Sequence, residues 1–200
     1  MERPLEPCPR PPVKIDLGCG KRKVRGSIGV DIVPSPAVDV VADFSQGLPF
    51  RDNSADAVYA YHLLEHLDDF LGFMGEIWRI CRPDGRVYIK VPHASSSYVT
   101  WKDPTHKRGI FISTFAYFDD TYWEGLFYGY YSKAKFRIEK ARLNFSIHNP
   151  WGFSFPRRVM NHLVHVMANG SRNSQFLCER FWGHLVGIEE AAIVLRALKE

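Results

Sequence analysis

Between residues 13 and 92 the chain alternates five short apolar runs with turn-forming residues, and this rhythm limits its folds more than any other feature. Runs of five or six residues rich in Val, Ile and Ala, broken by Gly, Pro and Asp, read as strands of a mostly parallel α/β sheet buried on both faces. Residues 13–17 (Val-Lys-Ile-Asp-Leu) are the first expected strand, 27–32 the second, 38–42 the third, 56–61 the fourth and 86–91 the fifth. Leu71, Met74, Ile77, Trp78 and Cys81 recur at helical spacing, which predicts an amphipathic helix over 69–81, stopped by Arg82-Pro83-Asp84-Gly85. Residues 21–26 leave little room for a crossover helix, so a turn or stub is expected there.

The second half reads differently. Residues 93–110 form a long polar loop, a length that in compact domains usually marks function. Residues 111–131 are crowded with aromatics, expected to serve as core and as a homodimer surface. Residues 135–147 alternate, with Phe136, Ile138, Leu143, Phe145 and Ile147 on the apolar side, as in an antiparallel strand. Residues 156–168 read as a helix with Val159, Leu163, Val166 and Met167 turned inward, and 176–185 as another helix. Periodicity leaves 191–198 open between strand and helix. Residues 1–12, rich in proline, are expected to form an extended lead-in, and 13–200 a single domain.

Composition narrows the function classes. With 26 Lys and Arg against 22 Asp and Glu, the net charge of +4 does not by itself suggest nucleic acid, and none is expected as a partner. No apolar run approaches the roughly 18 residues of a membrane span, and the first twelve residues lack the apolar stretch of a signal peptide. Cys8, Cys19, Cys81 and Cys178 form no C-x-x-C pair, so free thiols in a cytoplasmic protein are expected.

The chemistry gathers at strand ends. Asp16-Leu17-Gly18-Cys19-Gly20 is a strand feeding a glycine turn, where no Cβ keeps a ligand from the backbone. In a parallel sheet that turn lies at the carboxyl edge, where ligands bind. Asp31 closes the second strand, placed for a ribose diol, and Asp43 closes the third, placed for an adenine amino group. Each has a plainer use: the glycines as an ordinary break, Asp31 as a surface turn acid, Asp43 as the cap of a following turn.

The runs VKIDLGCG, IGVDI, VDVVADF, ADAVYAYHLLEHL and RPDGRVYIKVP together resemble the class I S-adenosylmethionine-dependent methyltransferases, in particular their small type 11-like bacterial and archaeal branch. The resemblance implies a Rossmann-like sheet of that type, with an antiparallel C-terminal strand region and a helical C-terminal insertion. It divides the domain into a cofactor-binding core (13–92), an acceptor loop with the aromatic segment (93–131), and C-terminal strands and helices (132–200). It implies that Asp16, Gly18, Cys19 and Gly20 line the methionine part of S-adenosylmethionine. Asp31 with Ile32 would hold the ribose, Asp43 with Phe44 the adenine, and Tyr61 and His62 would stand near the sulfonium. Arg22 replaces the third glycine the family often has, and only 15 positions separate Asp16 from Asp31, which puts more of the binding on Asp31 and Asp43.

The implied reaction is methyl transfer to a hydroxyl, amine or similar atom of a small molecule or glycan, leaving S-adenosylhomocysteine. His93 and His106 flank the acceptor loop and are the general-base candidates, imidazole titrating near neutrality. His62-Leu63-Leu64-Glu65-His66 also has the H-x-x-E-H spacing of inverted zinc peptidases, with Glu76 available as a third ligand. The same run is common in the methyltransferase family, and no metal is expected. A zinc peptidase and a cofactor-binding module without turnover are the alternatives. A nucleic-acid methyltransferase is disfavoured by the absence of an Asn-Pro-Pro-Tyr type tetrad.

Overall fold

The computed structural model describes residues 10–145 and 155–199. The expected apolar Ile147 and the Cys8 thiol lie outside them. Seven strands form one sheet: β1 (Lys14–Leu17), β2 (Ile28–Asp31), β3 (Val40–Val41), β4 (Ala55–Tyr61), β5 (Cys81–Pro92), β6 (Phe136–Phe145) and β7 (Ile188–Ala197). Their order is β3-β2-β1-β4-β5-β7-β6. The first five pair in parallel, and β7 runs antiparallel between β5 and β6. Residues 191–198, undecided by periodicity, thus fall mainly in a strand. Its alternation, with Ala191, Ile193, Leu195 and Ala197 buried, fits a sheet covered mainly on one face.

The helix expected over 69–81 is α1 (Phe70–Ile80). Asp69 starts it by accepting a hydrogen bond from Gly72 N at 2.8 Å, which satisfies one of the orphan donors of the first turn. Phe73, Met74, Ile77 and Ile80 face the sheet. The strand that follows begins at Cys81, five residues earlier than the sequence suggests. No helix forms between β1 and β2, as the short connection predicts, nor between β2 and β3.

One expectation fails for a clear reason. Among the described residues only one face of the sheet is fully covered. Ile15, Leu17, Val58, Ala60, Val87, Ile89 and Val91 are buried there, beside Phe73, Met74, Phe115 and Phe118 in the same core. The registers put Asp16, Tyr59 and Tyr88 side by side on the opposite face, next to Tyr61 and Lys90, and the three tyrosines are half-buried. With no crossover helices beside β1 and β2, this side is sheltered only in part. Tyr and Ala read as apolar in a run, yet both tolerate such a face.

The loop 93–110 contains a short helix, α2 (Ser97–Trp101), and pairs its ends through a parallel bridge between His93 and Ile110. The aromatic segment forms α3 (Ile112–Ala116) and α4 (Trp123–Tyr128); Phe115 and Phe118 enter the core, whereas Trp123, Phe127, Tyr130 and Tyr131 stay exposed. The C-terminal helices are α5 (Phe155–Asn169), α6 (Arg172–Leu177) and α7 (Gly183–Val186), the last two joined by a π-helical turn over Cys178–Trp182. The inward face expected for α5 is reversed: Val159, Leu163, Val166 and Met167 are 44–67% exposed. The helix turns Val164 and Ala168 to the core instead, and Asn169 ties it to β6 by accepting from Leu143 N at 2.7 Å and donating to Leu143 O at 2.9 Å. Among the described residues no helix is long and apolar enough to cross a membrane.

Candidate functional site

The tips of β1, β2 and β3 open into a cleft of about 610 Å³. Gly18, Asp31, Ile32, Asp43 and Phe44, all singled out in the sequence, line it. Gly18 has φ +67°, a left-handed conformation that favours glycine, and a Cβ there would stand 3.0 Å from Leu63 Cδ1 and crowd that side chain. Asp31 is half-buried, its Oδ2 accepting from Gly20 N at 2.8 Å and its Oδ1 from Val33 N at 3.0 Å. Asp43 accepts from Ser45 N at 2.9 Å and so caps the 3-10 turn Phe44–Gln46. The plainer use of Asp43 is therefore real, and it leaves the rest of the carboxylate facing the cleft. Phe44 packs on Phe73, ring centroids 5.4 Å apart, which fixes one apolar wall.

The electrostatics are one-sided. Asp31, Asp43, Asp68, Asp69 and Glu76 line the cleft with Lys107 as the lone Lys or Arg. Asp68 pairs with Lys107, and Glu76 is held by Arg79 at 2.7 Å and by Leu48 N at 2.9 Å, which keeps its carboxyl below the usual carboxylate range. Asp69 caps α1. Among the described residues no cation pairs with Asp31 or Asp43, so the cleft favours a cationic ligand.

The remaining expected cofactor residues are placed differently. Asp16 is buried and accepts from Val24 N at 2.7 Å; it shapes the turn below the cleft, and burial raises its pKa. Cys19 is buried as well, its thiol pushed up chiefly by burial and then by Asp16. Gly20, with φ +56°, acts through its N–H on Asp31. Tyr61 lies across the β4 tip in a separate depression of about 670 Å³ over the open sheet face, lined also by Tyr88, Lys90 and Arg142. That depression sits along the strands rather than at their carboxyl ends. His62, with φ +53°, points toward Glu190, its Nε2 3.2 Å from Oε2. Glu190 and Glu65 raise its pKa to about 9.

The two general-base candidates separate. His93 is wholly enclosed, its Nδ1 2.8 Å from Ser95 Oγ and its Nε2 2.8 Å from Glu179 Oε1, which also accepts from Ile112 N at 2.6 Å. Both ring nitrogens are engaged, Nδ1 within its own loop and Nε2 with Glu179 of the π-helical turn, so His93 has no open side. His106 donates Nδ1–H to the Thr100 carbonyl at 2.6 Å and turns Nε2 toward Glu65 Oε1 at 4.0 Å. Its ring meets His66 edge-on at 4.7 Å, and His66 lines the cleft.

The peptidase reading of the H-x-x-E-H run fails. His62 follows the end of β4 and Leu64–His66 is a 3-10 turn, so no helix carries the two histidines one turn apart, and Glu76 is committed to Arg79. Sequence reasoning missed Glu179 and Glu190, whose partners His93 and His62 lie 86 and 128 positions away in the chain. No local pattern announces such pairs.

Residues 15–89 match the family model described as a methyltransferase domain. Among solved structures, a SAM-dependent methyltransferase from Archaeoglobus fulgidus shares 21% identity over 92% of this chain and 86% of that one, with a TM-score of 0.50. The YcgJ protein of Bacillus subtilis shares 18% over 94% and 92%, with a TM-score of 0.52. An S-adenosylmethionine-dependent methyltransferase from Mesorhizobium loti shares 13% over 92% and 90%, with a TM-score of 0.51. At these identities the structures speak for a shared fold. No curated protein matches the chain. Residues 15–89, which carry the first strand tips and much of the acidic cleft, are thus similar to a methyltransferase domain, and the chain as a whole shares its fold with S-adenosylmethionine-dependent methyltransferases.

Proposed function

We propose that the strand-tip cleft binds S-adenosylmethionine and that the chain passes its methyl group to a hydroxyl, amine or similar atom of a small molecule or glycan by in-line displacement. When bound, the cofactor supplies a methyl already activated by a positively charged sulfur. The carrying observation is the pair Asp31 and Asp43, on neighbouring strand tips, facing one cleft with no cation partner among the described residues. A carboxylate offers about four acceptor positions, and backbone N–H groups occupy two of those on Asp31. The other two suit the ribose hydroxyls. Asp43 is assigned to the adenine amino group, and Phe44 and Ile32 to packing on the nucleoside. Gly18 leaves bare backbone for the methionine end. Asp16, Cys19 and Gly20 support this surface from below, and Tyr61 and His62 are left outside the adenosyl site.

Positioning is the main task of the protein, and aligning acceptor and methyl can contribute about 7–11 kcal/mol to lowering the barrier. Where the acceptor must lose a proton, the group at the cleft wall formed by His66, with Glu65 and His106 behind it, is assigned to that step; His93 is assigned to bracing. The acidic lining disfavours nucleic acid as acceptor. The exposed Trp123, Phe127, Tyr130 and Tyr131 are the surface assigned to a homodimer, and buried free thiols at Cys19, Cys81 and Cys178 support a cytoplasmic setting. Calorimetry with S-adenosylmethionine and S-adenosylhomocysteine tests the reading: saturable one-site binding of both is expected, and no detectable heat from either overturns it.

A further inference from the structure

Glu65 is 1% exposed, and neither carboxylate oxygen has a hydrogen-bond partner. A buried carboxylate without donors is costly unless a charge compensates it. The nearest ring nitrogens to Oε1 are His62 Nδ1 at 3.6 Å and His106 Nε2 at 4.0 Å, both beyond hydrogen-bond distance. The position is built rather than accidental, because the Glu65 carbonyl accepts from Lys107 N at 2.8 Å and locks the turn to the loop carrying His106.

The two histidines beside Glu65 have fixed tautomers. The Thr100 carbonyl can only accept, so His106 Nδ1 carries the proton and Nε2 presents a lone pair. Thr105 Oγ1 donates its single proton to Asp103 at 2.6 Å, so its 2.9 Å contact with His66 Nδ1 makes that nitrogen the donor. His66 Nε2 is left with a lone pair as well. Glu65, His66 and His106 each bring a ligand atom within 4.8 Å of the others. Orienting the ring through its far nitrogen is the arrangement that metal-ligating histidines commonly use.

We infer that Glu65, His66 and His106 form a site for one divalent transition metal ion of the zinc class, set in the cleft wall. Two imidazoles and a carboxylate match that class rather than magnesium or calcium, which take oxygen ligands. Three atoms up to 4.8 Å apart surround a point roughly 2.8 Å from each, so ligand bonds of about 2.0–2.2 Å need shifts of about 0.7 Å or less. Three protein ligands leave a fourth position open, and His66 places it at the cleft. The use of that position rests on the methyltransferase reading. An acceptor hydroxyl bound there loses its proton to water more readily, and its oxygen lone pair forms the new C–O bond as the C–S bond breaks.

The test is cobalt(II) titration of chelator-treated, dialysed protein without cofactor, read by visible d–d absorption and competed with zinc(II). One equivalent bound and displaced by zinc is expected. Glu65→Gln, which keeps the side-chain shape, and His106→Ala should each weaken binding by at least about 10–100-fold, whereas His184→Ala, at an exposed remote histidine, should bind like the wild type. No spectrum in the wild type, or an unchanged titration in Glu65→Gln, overturns the inference. If His106→Ala fails to fold, Glu65→Gln alone decides. S-adenosylmethionine binding without a cobalt spectrum refutes the metal site and spares the cofactor reading; a cobalt spectrum without cofactor binding supports the metal site and refutes that reading.

Discussion

Replacing Asp31 by alanine tests the cofactor cleft most directly. The carboxylate has two oxygens, each holding one backbone N–H, at 2.8 and 3.0 Å, and each with a further acceptor position. Hydrogen bonds to a charged group contribute about 1.5–3 kcal/mol each. Asp31 is half-buried, so solvent screening places its two ribose bonds near the lower end, about 3 kcal/mol together. At 1.4 kcal/mol per decade that is a loss of about 100-fold in affinity. Asp31→Asn keeps the shape and one acceptor oxygen and should lose about tenfold. Calorimetry with S-adenosylhomocysteine is the assay, because the product binds without turnover and needs no acceptor. Thermal melts of each variant separate lost affinity from lost folding, since Gly20 N and Val33 N also lose a partner. If Asp31→Ala binds within about threefold of the wild type, half a decade on the same scale, while melting normally, the ribose assignment is wrong.

Four further outcomes follow from other parts of the molecule. Gly18→Ala puts a Cβ at φ +67° and 3.0 Å from Leu63 Cδ1; a loss of about 1–2 kcal/mol in denaturant unfolding is expected from the left-handed conformation alone, and Leu63→Ala should restore only the part due to the clash. Asp119 is wholly buried and accepts from Ile138 N, Thr121 N and Thr121 Oγ1 at 2.7–3.0 Å, so Asp119→Ala should cost roughly 2–4 kcal/mol through stranded donors, read in the same unfolding curves. His62 has its pKa raised from 6.5 to about 9, first by Glu190 and then by Glu65; its stabilising effect is full below pH 6.5 and fades as pH rises through about 9. The melting-temperature gap between wild type and His62→Gln, measured with chelator present, should therefore shrink over that window, and a gap that widens with pH contradicts the pairing. Val166 and Met167 are more than half exposed, so Val166→Lys and Met167→Lys should each shift stability by no more than about 0.5 kcal/mol, whereas an inward-facing α5 would make both strongly destabilising.

The parts of this molecule legible in the sequence are those whose causes are local. A strand entering Gly18-Cys19-Gly20 declares both a turn and its sheet edge, because φ +67° and +56° at the two glycines follow from residue type. Asp69 ahead of Phe70 and the 3.6-residue apolar recurrence after it define α1 in the same way. The errors arise where a pattern is ambiguous about its surroundings. Val159, Leu163, Val166 and Met167 have the spacing of an inward stripe, yet α5 is held by Asn169 to the backbone of β6, 26 positions away. The face that meets the core is Val164 with Ala168, a narrower stripe that apolar spacing alone does not single out. The site divides along the same line. Asp31, Asp43 and Phe44 could be read from strand ends, whereas the environment of Glu65 depends on a loop forty residues downstream that brings His106 against it. The H-x-x-E-H spacing drew attention to Glu65 and His66, but His106 joins them only through tertiary folding, which pair spacing cannot encode. The way Glu65 keeps its charge away from water is therefore a property of the assembled fold, open to a single titration.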